Sequence, residues 1–242
     1  AYQSAWLRHH YPGEFLCALL NAQPMGFYPP ASLVRDAQRR GVEVLPPDVN
    51  RSEAKCRLER DAVRVGIGYV KGLGQEPATA LVEERAARGP FASVSDLALR
   101  APLDRPGLEA LVASGSCDSF GWPRRQLLWR LGLAPRSVSA GDGGESRQLA
   151  LPLEPTSEVP ELAEQTPWER MLADYRLTSL SVGLHPLELL RPHLPGEVLS
   201  SADLEEAAEV TRIAQGVRRV VGKWVGETYR RQPMIVPTVI EI

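Results

Sequence analysis

Residues 66–88 read GIGYVKGLGQEPATALVEERAAR, and this stretch decides how the chain folds. It predicts a short helix, a tight turn at Gly72-Leu73-Gly74, and a second helix with Ala78, Leu81, Val82 and Arg85 at helical spacing. Two glycines flanking one apolar residue let the backbone turn sharply, and no Cβ holds a phosphate at a distance. The second helix directs its unpaired first N–H groups, and the positive end of its dipole, at the same spot. Lys71 stands beside that spot, where its ammonium can neutralise one phosphate charge.

Together these features make a helix-hairpin-helix pattern, which grips a nucleic-acid backbone without reading bases. The same residues also fit a plain pair of packed helices joined by a Gly-rich turn. Composition narrows the setting. With 242 residues the chain can bury a substantial core as one large or two smaller domains. A net charge of −2 means that any nucleic-acid contact is a local patch rather than a basic coat. Cys17, Cys56 and Cys117 lie far apart without C-x-x-C spacing, which suits a reducing cytoplasm and argues against a disulfide scaffold or zinc finger. No apolar run has the length of a membrane span, and no signal-peptide pattern is present. The opening Ala1-Tyr2-Gln3 is expected to be the middle of a longer protein.

Working outward, the fold expected is mainly α with a small β-hairpin. Helices are expected over residues 2–10, from Pro12 through Leu20, and from about Ala31 to Arg40, ended by Gly41. Val42 to Leu45 reads as a short strand, stopped by Pro46-Pro47. Lys55–Glu59 and Ala62–Gly66 read as hairpin arms, with Arg60-Asp61 at the turn. Ser93-x-x-Asp96 opens another helix through a capping-box pattern, and residues 106–114 and 123–131 form two more. Arg85, Arg88, Arg100, Arg105, Arg124 and Arg125 are expected at exposed positions of this helical unit, where they either face a ligand or merely solvate the surface.

Composition changes after residue 134. From Gly141 to Asp174 the acids Asp142, Glu145, Glu154, Glu158, Glu161, Glu164, Glu169 and Asp174 outnumber Arg147 and Arg170. Such an acidic, Gly/Pro-containing stretch reads as a solvated linker that DNA would repel. Within it Gln148-Leu149-Ala150-Leu151-Pro152-Leu153 is an apolar island. An extended peptide of this kind can seat alternate side chains in a partner's groove, or its leucines can pack back onto the helical unit. Residues 168–176 and 186–191 read as short helices, and residues 217–228 as a strand with a glycine kink.

Bond-making chemistry finds no residues to carry it. No paired carboxylates on a strand offer the oxygen ligands that two divalent metals need. Gly66-x-Gly68-x-x-x-Gly72 has the wrong last spacing and the wrong context for a dinucleotide loop. His9-His10, His185 and His193 lack metal-ligand spacing.

Several blocks resemble the bacterial C-family DNA polymerases, the DNA polymerase III α-subunit family, and above all its error-prone mutasome branch. The opening through LPPDVNRS is similar to the end of that family's fingers region, and LLNAQPMGFY resembles the error-prone branch more than the replicative one. GIGYVKGLGQEPATALVEER through LEALVASGSCDSFG resembles the helix-hairpin-helix region, and ADYRLTSLSVGLHPLELLRPHL the connector before an OB domain. The match covers about residues 1–225. It implies an end-of-fingers segment over 1–66, a DNA-binding unit over 67–134, an acidic linker over 135–166, and a connector with an incomplete OB-like start over 167–242. After Gly226, ETYRRQPMIVPTVIEI departs from the family pattern, and one strand cannot close a barrel that needs about five.

The resemblance also implies roles. The chain would be the DNA-holding and tethering part of a damage-tolerant DNA-directed DNA polymerase, cytoplasmic and not membrane-bound. The catalytic aspartates and their Mg2+ would lie in a palm outside these residues, so the chain itself holds no catalytic residue, metal or cofactor. Duplex DNA would be gripped by Lys71, Gly72, Leu73, Gly74 and Arg85. Gln148, Leu149, Leu151 and Leu153 resemble a sliding-clamp-binding peptide, and accessory mutasome proteins are the other partners implied. The competing expectations are a fragment of the replicative α-subunit, and a non-catalytic interaction module that binds the clamp or accessory proteins.

Overall fold

The computed structural model describes residues 2–25, 28–133, 160, 162–194, 219, 220 and 223. The chain divides into two units, Ala1–Leu189 and Leu190–Ile242. In the first, helices α1 (Tyr2–His10), α2 (Pro12–Asn21) and α3 (Pro30–Arg39) lead into strands β1 (Val44–Leu45), β2 (Arg57–Glu59) and β3 (Ala62–Arg64). Helices α4 (Gln75–Arg88), α5 (Val94–Arg100), α6 (Arg105–Ala113) and α7 (Arg124–Leu133) follow, then α8 (Pro167–Thr178) and α9 (Pro186–Leu190). The fold is therefore mainly helical with a small sheet, as the pattern of apolar residues predicts.

Each boundary has a local cause. Pro12 and Pro30 occupy the first turn of α2 and α3, where a missing N–H costs nothing. Ser93 caps α5 by accepting from the Asp96 N–H, while the Asp96 carboxylate accepts from the Ala92 N–H. Asp104 caps α6 through the Gly107 N–H at 2.9 Å. Thr166 and Glu169 form a full capping box at the start of α8.

The sheet has order β1-β3-β2, with β1 parallel and β2 antiparallel to β3. The hairpin forms as expected, although both arms are shorter than the sequence suggests. Arg60 takes φ 58° at its turn, supplying the left-handed residue that glycine or asparagine usually provides. As the central strand, β3 is buried at all three positions, including Arg64. The Arg64 guanidinium meets the Glu59 carboxylate and donates to the Pro46 carbonyl at 3.0 Å.

Two apolar clusters hold this unit. One joins Leu16 and Leu20 of α2, Val34 and Ala37 of α3, the strands and Leu180. The other joins Leu73, Ala78 and Leu81 to Val94, Leu97, Leu108, Leu111, Leu127 and Leu131 of the later helices. The second cluster fixes the Gly72–Gly74 corner, because Leu73 is one of its members.

Three expectations need correction or fall outside what is described. The first helix of the central motif is a single 3-10 turn, Ile67–Tyr69. Its amides are already taken: Ile67 N–H donates to Glu53 O and Gly68 N–H to Ala54 O. A Cβ on Gly66 would lie 2.4 Å from the Lys55 carbonyl carbon, so this glycine serves close backbone approach rather than helix formation. In the second unit, Arg219, Val220 and Lys223 are helical, not extended. Val217, Val220, Val221, Trp224 and Val225 in fact recur at helical spacing, a period that the β-branched residues hide. Most of the linker, and the residues that would start an OB fold, lie outside the described residues.

Candidate nucleic-acid interface

The corner at residues 71–76 is held from inside and open outside. Leu73 is buried among the helices, while Lys71, Gly72, Gly74, Gln75 and Glu76 are exposed. Gly72 has φ +87° and Gly74 φ +80°, and a Cβ on Gly72 would meet nothing within 4 Å. The glycines are therefore required by the turn itself and not by crowding within the fold. Leu73 is an anchor, and its buried side chain does not face a ligand.

The amides divide cleanly. Lys71 N–H donates to Leu177 O at 2.7 Å and Leu73 N–H to Val70 O at 3.2 Å. The N–H groups of Gly72, Gly74, Gln75 and Glu76 have no acceptor among the described residues. These are the unfilled donors of a turn and of the first turn of α4, a 14-residue helix with its dipole aligned on the same point. The Lys71 ammonium has no acid partner among the described residues. An exposed set of free N–H groups beside an unpaired cation is an anion site suited to a phosphodiester.

The arginines behave differently from expectation. Side-chain exposure is 12% for Arg85, 13% for Arg100 and 8% for Arg124, so these three are not surface cations. Arg85 Nη1 donates to Val49 O at 2.9 Å and Ser52 O at 2.7 Å, and its other nitrogen pairs with Glu53. It ties α4 to the loop between β1 and β2. Arg88, Arg105 and Arg125 are more exposed but pair with Glu84, Glu109 and Glu169. Helical spacing alone cannot reveal this, since the acids that claim Arg85 and Arg125 come from other elements.

Arg124 reaches furthest. It donates to Asp118 and, at 2.7 Å, to Asp174 of α8. Burial works against the Arg124 charge, but its hydrogen bonds to both carboxylates, and their negative charges, outweigh it and hold the pKa above its usual value. Burial pushes the Asp174 carboxyl up, and Arg124 offsets part of that rise. This pair and the Lys71–Leu177 bond together seat α8 against the hairpin, a support that the sequence reading missed.

Beside the corner lies a groove of about 430 Å³, bounded by Tyr69 and Gln75 on either side of the turn and by Lys55, Asn21 and Ser179. The Tyr69 hydroxyl donates to Leu20 O at 2.8 Å, and burial pushes its pKa up, so it stays neutral. Among the described residues no His, Cys, Asp and Glu side chains are grouped to hold a metal ion, and no helix is long and apolar enough to cross a membrane. Gln148, Leu149, Leu151 and Leu153 lie outside the described residues.

Comparison with known proteins agrees with this geometry. The helix-hairpin-helix motif family matches residues 41–127. Error-prone DNA polymerase of Burkholderia pseudomallei is 45% identical over 212 residues, 84% of this chain and 19% of that protein. The enzymes of that name from Rhodopirellula baltica and Corynebacterium efficiens are each 37% identical, over 91% and 96% of this chain and 19% and 20% of their own lengths. The chain thus spans about a fifth of the length of the curated relatives it matches. Over most of its residues the chain is thus similar to a segment of the proteins named error-prone DNA polymerase, and the matched helix-hairpin-helix motif spans the open corner.

Proposed function

We propose that this chain is the DNA-holding part of an error-prone DNA-directed DNA polymerase. It grips duplex backbone through the main chain of Gly72–Glu76 and the Lys71 ammonium, without reading sequence. The observation that carries this reading is the set of N–H groups at an exposed corner, next to a cation, that have no partner among the described residues. Leu73 and Arg85 serve the grip indirectly, by fixing the corner and the helix behind it. Nucleotidyl transfer, with the Mg2+ that such chemistry uses, belongs to the rest of the polymerase, and damage-tolerant synthesis in the cytoplasm is the setting.

Gln148, Leu149, Leu151 and Leu153 provide a second attachment, to a sliding clamp, and accessory mutasome proteins are further partners. In this arrangement a weak grip and a weak tether reinforce each other through local concentration.

The test is a titration with blunt duplex DNA at two salt concentrations. Wild-type affinity should fall steeply with salt, with a slope of about 0.9 per phosphate neutralised. Changing Gly72 and Gly74 together to valine should abolish binding. Affinity unchanged in that variant, with loss of clamp capture when Gln148, Leu151 and Leu153 become alanine, would favour the pure interaction module.

A further inference from the structure

The groove beside the hairpin has three side chains with unspent hydrogen-bonding capacity. Lys55, Gln75 and Ser179 all line it, and none of their polar ends has a partner among the described residues. The other polar walls are committed. Asn21 exchanges hydrogen bonds with the Cys56 main chain, Thr178 bonds to Asp174 O and Leu180 O, and the Tyr69 hydroxyl bonds to Leu20 O. Among the described residues no acid lines the groove. Lys55, Lys71 and Lys223 are the lysines of the chain, so the two on the described first unit flank one corner.

We infer that this groove seats one unpaired nucleotide of the strand whose neighbouring phosphate the hairpin holds. This rests on the hairpin reading and extends it from duplex to the junction of duplex and single strand. Continuity is given by the chain: Tyr69 and Gln75 bracket the turn, and Ser179 follows the Leu177 carbonyl that fixes Lys71. Size selects the occupant. About 430 Å³ lies within the range of small-ligand sites, enough for a nucleotide and far too little for a duplex. Charge agrees, since the free cation at the wall is Lys55 and a phosphodiester is the anion that an adjoining strand brings. The amide of Gln75 can both donate and accept, so it can meet a base edge with little sequence preference. The apolar remainder, Pro24, Pro30 and Ala54, takes the face of the base.

The experiment uses the 242-residue chain and two DNA probes, a blunt duplex and the same duplex with a single-stranded overhang carrying 2-aminopurine next to the junction. Wild type should bind the overhang probe about tenfold more tightly, with a change in 2-aminopurine emission. The double variant Lys55→Ala, Ser179→Ala changes two groove residues outside the Gly72–Glu76 grip, and its melting temperature checks the fold. It should lose the overhang preference and the emission change while binding blunt duplex within about twofold of wild type. An overhang preference retained in the double variant, or none in wild type, overturns the inference and leaves the hairpin grip standing. Blunt-duplex binding that survives the Gly72 and Gly74 changes overturns the hairpin reading instead.

Discussion

The main-chain N–H of Lys71 donates to the carbonyl of Leu177 at 2.7 Å, joining the hairpin corner to the last turn of α8. Helix ends leave carbonyls without intrahelical partners, and here one of them is filled by the residue that presents the free ammonium. The corner is therefore built from two distant parts of the chain, one before the acid-rich stretch of residues 141–174 and one after it.

Arg124 makes that dependence measurable. Its 2.7 Å bond to Asp174 holds α8 to α7, and Asp174 is largely buried with a side-chain exposure of 20%. Arg124→Met should destabilise the unit by about 3–5 kcal/mol, because a buried carboxylate is left without its partner. Changing Asp174→Leu as well should recover a large part of the loss. Urea midpoints of the two variants check this, and amide exchange in α8 should rise in the single variant alone.

The helices around the motif were legible because each carries its own signal. Ser93-x-x-Asp96, Pro12, Pro30 and the apolar spacing of α4 all act within a few residues. The state of the arginines was not legible. Whether Arg85 faces solvent depends on Val49 O, Ser52 O and Glu53, which only the folded chain brings to it. The reduction of the first motif helix to a 3-10 turn has the same origin, since residues 53–54 capture its amides. The strand expected over residues 217–228 fails at the described Arg219, Val220 and Lys223 for a different reason: β-branched composition outweighed a helical period that was present in the sequence.

Arg85→Met should cost about 2–4 kcal/mol, since two main-chain carbonyls lose a charged donor. Arg85→Lys should recover only part, because an ammonium on a flexible stem does not reproduce the fork of a guanidinium. Urea unfolding reads the loss. A role as a direct phosphate contact would instead leave the midpoint unchanged and lower DNA affinity alone.

Gly74→Ala tests the turn. With φ +80° and ψ 166° the residue occupies a region that is essentially glycine-only, so alanine should cost about 1–3 kcal/mol. The nearest atom to a new Cβ is Pro77 Cδ at 3.7 Å, an ordinary contact, so the cost is that of the backbone and not of a clash. Serine should therefore match alanine in melting temperature; a much larger loss with serine would point to crowding instead.

The acid limb of stability should depend on Glu59. Its hydrogen bond from Arg64, before any other influence, holds the carboxyl below the usual glutamate range. A depressed carboxylate contributes stability above its unfolded pKa and loses that contribution as pH falls through the folded value. Arg64 raises the stakes, because its side chain is only 6% exposed and keeps just the Pro46 carbonyl once Glu59 is protonated. Glu59→Gln should lower the urea midpoint at neutral pH. The same variant should converge on wild type as pH falls below the ordinary glutamate range, where both carry a neutral side chain. A gap between the two midpoints that stays constant well below the ordinary glutamate range would show that Glu59 acts through its shape and not its charge.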